Sequence, residues 1–97
     1  MKVRRVRLTV NRALAFYNLR SAQSGGKAMT LHELARLSGV AATTTHRLAR
    51  DPDTDPKAAS SLSLDLATRI VTILGCDIDE LLEVVDTDEE WDPDKKF

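Results

Sequence analysis

The sequence predicts an all-α fold of five short helices. A basic segment that forms a short strand or an arm precedes them, and an acidic, disordered C-terminal tail follows them. Apolar residues recur at helical spacing in several segments, residues that favour helix starts precede those segments, and glycine- or proline-containing stretches separate them. The 97 residues are enough for one domain with a single core.

The N-terminal quarter is basic and then helical. Residues 2–8, KVRRVRL, permit a short strand through their valines or a flexible arm along phosphates through their arginines. A helix is expected from near Asn11, a good N-cap, to about Ala22. A loop with Gly25 and Gly26 follows, in which Lys27 is either a phosphate contact or part of a connector.

The stretch TLHELARLSGVAATTTHRLAR, residues 30–50, predicts two short helices joined by a tight turn. Thr30 and Glu33 have the spacing of a capping box, in which each side chain bonds the backbone amide of the other. Gly39 suits the positive φ at the end of the first helix. We expect the second helix over 42–50, with Thr45 turned toward the core and an outer face made of Ala42, Thr43, Thr44, His46 and Arg47.

Residues 51–61, DPDTDPKAASS, predict an exposed linker. Ser63 caps the next helix, which ends at Gly75, and Asp77 caps a last short helix. From residue 86 onward the chain is acidic and predicted to be largely disordered. Its Trp91 is either a hook for a protein partner or a loosely packed surface residue.

Charge is distributed unevenly along the chain. Residues 1–50 contain ten Lys and Arg against Glu33 alone, a net charge of +9, whereas residues 51–97 carry a net charge of −10. A polyanion is therefore attracted to one half of the sequence and repelled by the other. No apolar run is long enough for a membrane span. The single cysteine, Cys76, allows no internal disulfide and fits a reducing cytoplasm.

The residue pattern gives no indication of an enzyme. His32, His46 and Cys76 are the residues nearest to a metal or nucleophile set, and they fall on different predicted elements without the spacing of a known site. We therefore expect no catalytic residue, no metal and no cofactor. Cys76 is better explained as a small apolar residue at a helix end.

The predicted second helix of 30–50 has the residues of a helix that reads the DNA major groove. Short side chains at its start allow close approach. Thr43 and Thr44 can bond base edges, and Arg47, one turn further on, can reach O6 and N7 of guanine. His46 and Arg50 lie where phosphate contacts are expected.

Residues 30–85 resemble the Cro/lambda-repressor (XRE-like) helix-turn-helix family. The resemblance rests on the 30–50 motif and on LSLDLATRIVTILGCDIDELLE, residues 62–83, which is similar to the later helices of that family. It implies a five-helix lambda-repressor-like bundle, operator DNA as ligand and usually a homodimer that reads two half-sites. The resulting division is a basic arm or strand at 1–9, the helix-turn-helix domain at 10–85 and an acidic tail at 86–97.

By position, the resemblance implies base contacts from Ala42, Thr43 and Arg47. The resemblance and the side-chain chemistry together predict phosphate contacts from Lys27, Thr30, Thr44, His46 and Arg50. The sequence departs from the family pattern at four places: Leu31 replaces a frequent Gln, Ala49 replaces a common Glu, Thr45 replaces a usual Ile or Leu, and the loop at Arg20–Met29 is longer than the short turn of the family.

The sequence therefore predicts a sequence-specific DNA-binding transcriptional regulator that acts as a repressor and a homodimer. One alternative is an antitoxin that represses its own operon and binds a toxin through the acidic tail and Trp91. An alternative of another class is a protein-interaction module that keeps the helix-turn-helix scaffold without binding DNA.

Overall fold

Two antiparallel strands near the ends of the chain enclose five helices in sequence. The computed structural model describes residues 1–51, 54–59 and 61–94. In chain order the elements are β1 (Lys2–Leu8), α1 (Val10–Gln23), α2 (Leu31–Ser38), α3 (Ala42–Ala49), α4 (Leu64–Leu74), α5 (Ile78–Leu81) and β2 (Leu82–Glu90).

The fold is mixed, with helices and a sheet, so the all-α prediction was wrong. β1 pairs with β2 in an antiparallel ribbon that sets Leu8 opposite Leu82 and Val6 opposite Val84. The tail predicted to be disordered contributes residues 86–90 to β2. The error has a physical cause. The short strand that residues 2–8 permit is present as β1. The acidic β2 gives no strand signal of its own, and its pairing partner lies at the other end of the sequence.

Opposite charges join the two strands. Arg4 Nε contacts an Asp86 carboxylate oxygen at 2.9 Å, Lys2 Nζ contacts Glu90 at 2.8 Å, and Arg5 pairs with Glu89. Exposed pairs of this kind contribute about 0–1 kcal/mol each. As a set they favour this one pairing of strands and remove the like-charge repulsion that keeps an acidic segment unfolded.

The core lies between the helices, and each of the five contributes to it. Leu34, Ile70 and Leu81 are fully buried at its centre. Around them pack Val10, Ala13, Leu14, Leu48, Ala67 and Leu74. α5 ends after four residues because Leu82 is already extended, with φ −126°, and begins β2.

Backbone and capping bonds fix where the helices start. Ser63 caps α4 as predicted, its hydroxyl accepting from the amide of Leu66 at 3.1 Å. α1 begins at Val10, one residue before the expected cap Asn11. The Thr9 amide instead donates to the carbonyl of Leu81 at 2.7 Å, which ties the β1–α1 corner to α5.

Gly39 ends α2 in the left-handed conformation, with φ +74°, as the sequence predicted. A Cβ at this position would lie 3.3 Å from Nη1 of Arg69, which donates to the carbonyl of Ser38. We expect Gly39→Ala to lower the free energy of unfolding by about 1–2 kcal/mol, because of the left-handed backbone. Thermal denaturation measures this loss.

Gly39→Asn is the control for Gly39→Ala. Asparagine adopts the left-handed region more readily than alanine, yet its Cβ meets the same Arg69 atom. The Asn variant should therefore retain more stability than the Ala variant. Equal losses in the two variants would assign the effect to the Arg69 contact rather than to the backbone.

Three carboxyl groups have a pKa below the ordinary value. The pKa of Glu33 is lowered chiefly by its hydrogen bond from Arg36, that of Asp55 chiefly by the backbone amide of Lys57, and that of Glu90 chiefly by Lys2. The stability these groups contribute is present above their ordinary pKa and is lost as pH falls through the lowered folded-state pKa.

We accordingly expect the urea midpoint to fall as the pH is lowered from about 5 to about 3. Glu90→Gln removes one of the three titrations and should flatten this dependence. A midpoint that stays constant across the acid range would contradict the role assigned to these ion pairs.

Candidate DNA-binding surface

α3 is held from its inner side. Thr45 and Leu48 are buried, and the Thr45 hydroxyl lies 2.9 Å from the carbonyl of Ala42 and 3.2 Å from that of Leu31. The second of these bonds ties the start of α2 to α3, and a branched alkyl side chain at position 45 would be unable to make it. The sequence prediction that Thr45 turns toward the core is confirmed.

The C-terminal end of α3 has a second anchor that the sequence analysis missed. The side-chain amide of Asn11 in α1 donates to the carbonyl of Ala49 at 2.7 Å. A helix end leaves its last carbonyls without helical partners, so Asn11 satisfies one of them and fixes α3 against α1. An asparagine near a helix start predicts a cap, and nothing local in the sequence indicates this distant partner.

The outer face of α3 carries three of the predicted contact residues, and a fourth follows the helix directly. Thr43, His46 and Arg47 are exposed, and their spacing of three and four residues places them on one side of the helix. Arg50 is also exposed, but the helix predicted over 42–50 ends at Ala49, and Arg50 is its C-cap in extended backbone. Thr43 and Arg47 are one turn apart. The Arg47 guanidinium forms no ion pair with any residue that the structure describes.

Two of the predicted residues on α3 are turned partly away from this face. Ala42 is half-buried, and its carbonyl lies 2.7 Å from Nδ1 of His46. Because a carbonyl only accepts, Nδ1 carries the proton and Nε2 of His46 is left facing outward. Thr44 is half-buried and lines a cavity of about 530 Å³ between α3 and the α3–α4 loop, together with Pro56 and Leu62.

The remaining predicted phosphate contacts lie at or before the start of α2. Thr30 is exposed at the N-cap of α2, where its hydroxyl accepts from the amide of Glu33 at 3.1 Å. The Leu31–Thr45 bond places this helix start beside α3. Lys27 is exposed in the α1–α2 loop, which Ser21 stabilises by donating to the Lys27 carbonyl at 2.9 Å.

Arg50, the last predicted phosphate contact, is engaged within the protein. Its Nη1 donates to Asp55 at 2.9 Å, and the other Asp55 oxygen accepts from the Lys57 amide at 2.9 Å. The Lys57 amide first and Arg50 second lower the pKa of Asp55. A phosphate must therefore compete with Asp55 for Arg50.

The α3–α4 loop lies directly against the exposed part of α3. The amide of Ala59 donates to the carbonyl of Arg47 at 2.9 Å, and Lys57 in the same loop is exposed and lines the cavity beside Arg47. The sequence of this loop predicts only an exposed linker. Lys57 follows the second helix of the helix-turn-helix closely in the sequence. This position could have indicated a further cation at the surface.

Folding changes the charge distribution that the sequence suggests. Eight of the ten basic residues in 1–50 form ion pairs, and seven of these pair with acids in the C-terminal half, as in Arg12–Glu83 at 3.3 Å and Arg20–Glu80 at 3.4 Å. Lys27 and Arg47 are the two of the ten without an ion pair among the described residues. Positive charge available to a polyanion is thus concentrated at α3 and the loop before α2.

The geometry of α2, the Gly39 turn and α3 defines a helix-turn-helix DNA-binding domain. Residues 25–87 match the family model described as the Cro/C1-type HTH DNA-binding domain. The match covers more than half of the chain, and the chain belongs to this family, as its resemblance had indicated. The family is one of DNA-binding regulators rather than of enzymes. No curated protein and no solved structure matches the chain.

The family match and the exposed α3 together identify double-stranded DNA as the ligand class. Within residues 1–51, 54–59 and 61–94, every helix is too short or too polar to traverse a bilayer.

The Arg50–Asp55 pair predicts how one substitution changes DNA affinity. Asp55→Asn keeps an acceptor for the Lys57 amide but releases Arg50 from its charged partner. We expect tighter binding to any duplex at low salt and a salt slope steeper by about one, as for one added phosphate contact. Affinity measured at several salt concentrations tests this.

Asp86→Asn is the matched control, because it makes the same charge change at an Arg–Asp pair of the same length, 2.9 Å, on the ribbon. It should leave the salt slope nearly unchanged. If the two variants gained affinity equally, net charge would explain the effect, and Arg50 would have no particular access to phosphate.

Proposed function

We propose that the protein is a sequence-specific transcriptional regulator that acts as a repressor and reads the major groove with α3. The observation that carries the proposal is that the side chains of Thr43 and Arg47 are accessible. Both are exposed on one face of α3, and Arg47 is unpaired among the described residues although most other cations of 1–50 are paired. A side chain committed to an internal partner is not available to read a base.

Side-chain chemistry indicates which residues of α3 contact bases. Arg47 has the length and the paired donors to bond O6 and N7 of one guanine, and Thr43 can bond a base edge or contact the methyl of thymine. Ala42, at the start of α3, is small enough to let the helix approach the bases closely.

Phosphate contacts surround these residues in the proposed complex. Thr30, at the α2 N-terminus, is suited to phosphate oxygens, and Arg50 is suited once it exchanges Asp55 for phosphate. His46 can donate to a phosphate oxygen through Nε2 only as the imidazolium, because in the neutral ring the proton is on Nδ1. Thr44 and Lys27 complete the set at the two margins. Phosphate contacts fix the position of α3 on the duplex, while base contacts select the sequence.

Repression and dimerisation follow from the size of this reading surface. An eight-residue helix spans few base pairs, so a second copy on an adjacent half-site supplies the length that a selective operator needs. A dimer seated in two successive major-groove segments blocks that DNA to other proteins, which is sufficient for repression.

The antitoxin alternative is not included in the proposal. It depends on an acidic tail available to a toxin, whereas residues 86–90 belong to β2 and the Trp91 amide donates to the carbonyl of Met1 at 2.8 Å. No other described feature favours a toxin partner.

Selection of binding sites from random duplex DNA, followed by affinity measurements at two salt concentrations, tests the function. An enriched, palindromic motif with a steep salt slope is the expected result. Salt-dependent binding without enrichment would contradict sequence specificity. Absence of both would favour a protein-interaction module on the same scaffold.

Arg47→Ala then tests how the sequence is read. We expect it to reduce affinity for the selected site by about 1–3 kcal/mol while changing affinity for random DNA much less, because a lost base contact affects the preferred sequence most. Arg50→Ala, at the C-cap of the same helix, is the comparison and should weaken all duplexes alike. Equal losses on selected and random DNA for Arg47→Ala would remove its base-reading role.

A further inference from the structure

The outer edge of β1 is an open sheet edge. Within the described residues the ribbon consists of β1 and β2 alone, so β1 pairs with another strand on one side only. An edge of this kind presents a row of backbone N–H and C=O groups that another extended chain can bond. The question is which chain would fit here.

The hydrogen bonds of the ribbon show which backbone groups face the open edge. The Val3 carbonyl accepts from the Thr87 hydroxyl at 2.9 Å and therefore points toward β2. Hydrogen-bonded and non-hydrogen-bonded pairs alternate along an antiparallel ladder, so Arg5 also bonds β2, while the N–H and C=O of Arg4 and Val6 point outward. Neither Arg4 nor Val6 forms a backbone bond outside the ribbon within the described residues.

A groove of about 660 Å³ runs along this edge. All six residues from Val3 to Leu8 line it. Successive side chains of a strand point to opposite faces, so a groove that touches all six follows the edge of β1 and not one face of the ribbon. We call it the edge groove; its opposite wall is formed by Ala59, Ser61, Leu62, Leu64, Ala67 and Ile78.

The edge groove is apolar on one wall and basic on the other. Leu64, at the start of α4, is 86% exposed, and Ile78, at the start of α5, is 55% exposed. On the strand side Arg4, Arg5 and Arg7 line the groove, and no carboxylate of the described residues does. Such a lining is complementary to a segment that carries both apolar and acidic side chains.

The strand on the other side of β1 shows what β1 accepts. β2 has the sequence LEVVDTDEE, which combines apolar residues with five carboxylates. Val84 lies opposite Val6, and Asp86 lies opposite Arg4 and accepts from its Nε at 2.9 Å. A guanidinium has several N–H donors, so an arginine that binds β2 keeps donors for a second carboxylate at the open edge.

Other occupants match the edge groove less well. A helix has its backbone groups bonded internally and would leave those of Arg4 and Val6 without partners. A nucleic acid offers phosphates to the arginines but nothing apolar to Leu64 and Ile78. The β1 strand of a second copy would place four cations beside four.

We propose that the edge groove binds an extended, acidic segment of a partner protein, which adds to β1 as a third strand. Backbone bonds to Arg4 and Val6 hold the segment, its carboxylates meet the arginines, and its apolar side chains cover Leu64 and Ile78. No residue of α3 lines the groove, so the segment can bind while α3 is on DNA. The inference goes beyond the proposed function and does not depend on it.

A synthetic peptide with the sequence of β2, LEVVDTDEE, is the probe, because it has the pattern that β1 already accepts. We expect saturable binding of the labelled peptide to the full chain without DNA, measured by fluorescence anisotropy and weakened by salt. A peptide whose five carboxylates are replaced by amides should bind about tenfold more weakly or less.

Val6→Pro tests the backbone bonds of the open edge. It removes an outward N–H, and proline is tolerated on an edge strand where that group faces solvent. The variant should keep the ribbon, as circular dichroism can verify, and lose about tenfold in peptide affinity. Val84→Pro is the matched control: Val84 is opposite Val6 in the same pair, so its N–H points to the far edge of β2, and peptide affinity should stay unchanged.

Amide hydrogen exchange of the wild-type chain provides a measurement that needs no variant. Bound peptide should slow exchange at Arg4 and Val6, whereas Arg5, already bonded to β2, should change little. Binding without this slowing would mean that the peptide replaces β2, and would overturn the proposal. Absence of binding, equal affinity for the amide peptide, equal losses in the two proline variants, or displacement of the peptide by random duplex DNA would overturn it as well.

Discussion

The pairing of a basic strand with an acidic strand is the constraint on which the rest of this structure depends. It joins residues near the two ends of the chain, converts an acidic segment into β2 and makes the fold mixed rather than all-α. It also determines where positive charge remains. Because Arg4 and Arg5 are engaged by Asp86 and Glu89, attraction for a polyanion depends on α3 and its surroundings rather than on the N-terminal half as a whole.

The helix-turn-helix is held by groups that do not face DNA. Thr45 binds the carbonyl of Leu31 from within, Asn11 binds that of Ala49 from α1, and Ala59 binds that of Arg47 from the following loop. These bonds orient α3 through its backbone and its buried side. Its outer side chains are therefore available for recognition. A binding site on a rigid element requires that the groups that hold the element differ from those that contact the ligand.

Local signals predicted the helices well and the sheet poorly. Thr30, Gly39 and Ser63 act within a few residues of themselves, so caps and turn residues locate α2 and α4 from sequence alone. β1 and β2 are separated by more than seventy residues, and no local pattern states that they meet. The charge of the surface could not be predicted from the sequence for the same reason. The sequence gives the number of arginines, but only the fold shows which of them have partners. Asp55 pairs with Arg50, whereas Arg47 has no ion pair among the described residues.

The distance between β1 and β2 along the chain has a consequence for synthesis. The helical core is built from contacts of short and intermediate range and can form early, whereas ribbon closure requires the last strand. Until β2 is made, residues 1–81 carry a net charge of +4, and Lys2, Arg4, Arg5 and Arg12 lack their acidic partners. An incomplete chain is therefore basic, with more positive charge open to nucleic acids, and completion of β2 confines that charge to α3 and the loop before α2.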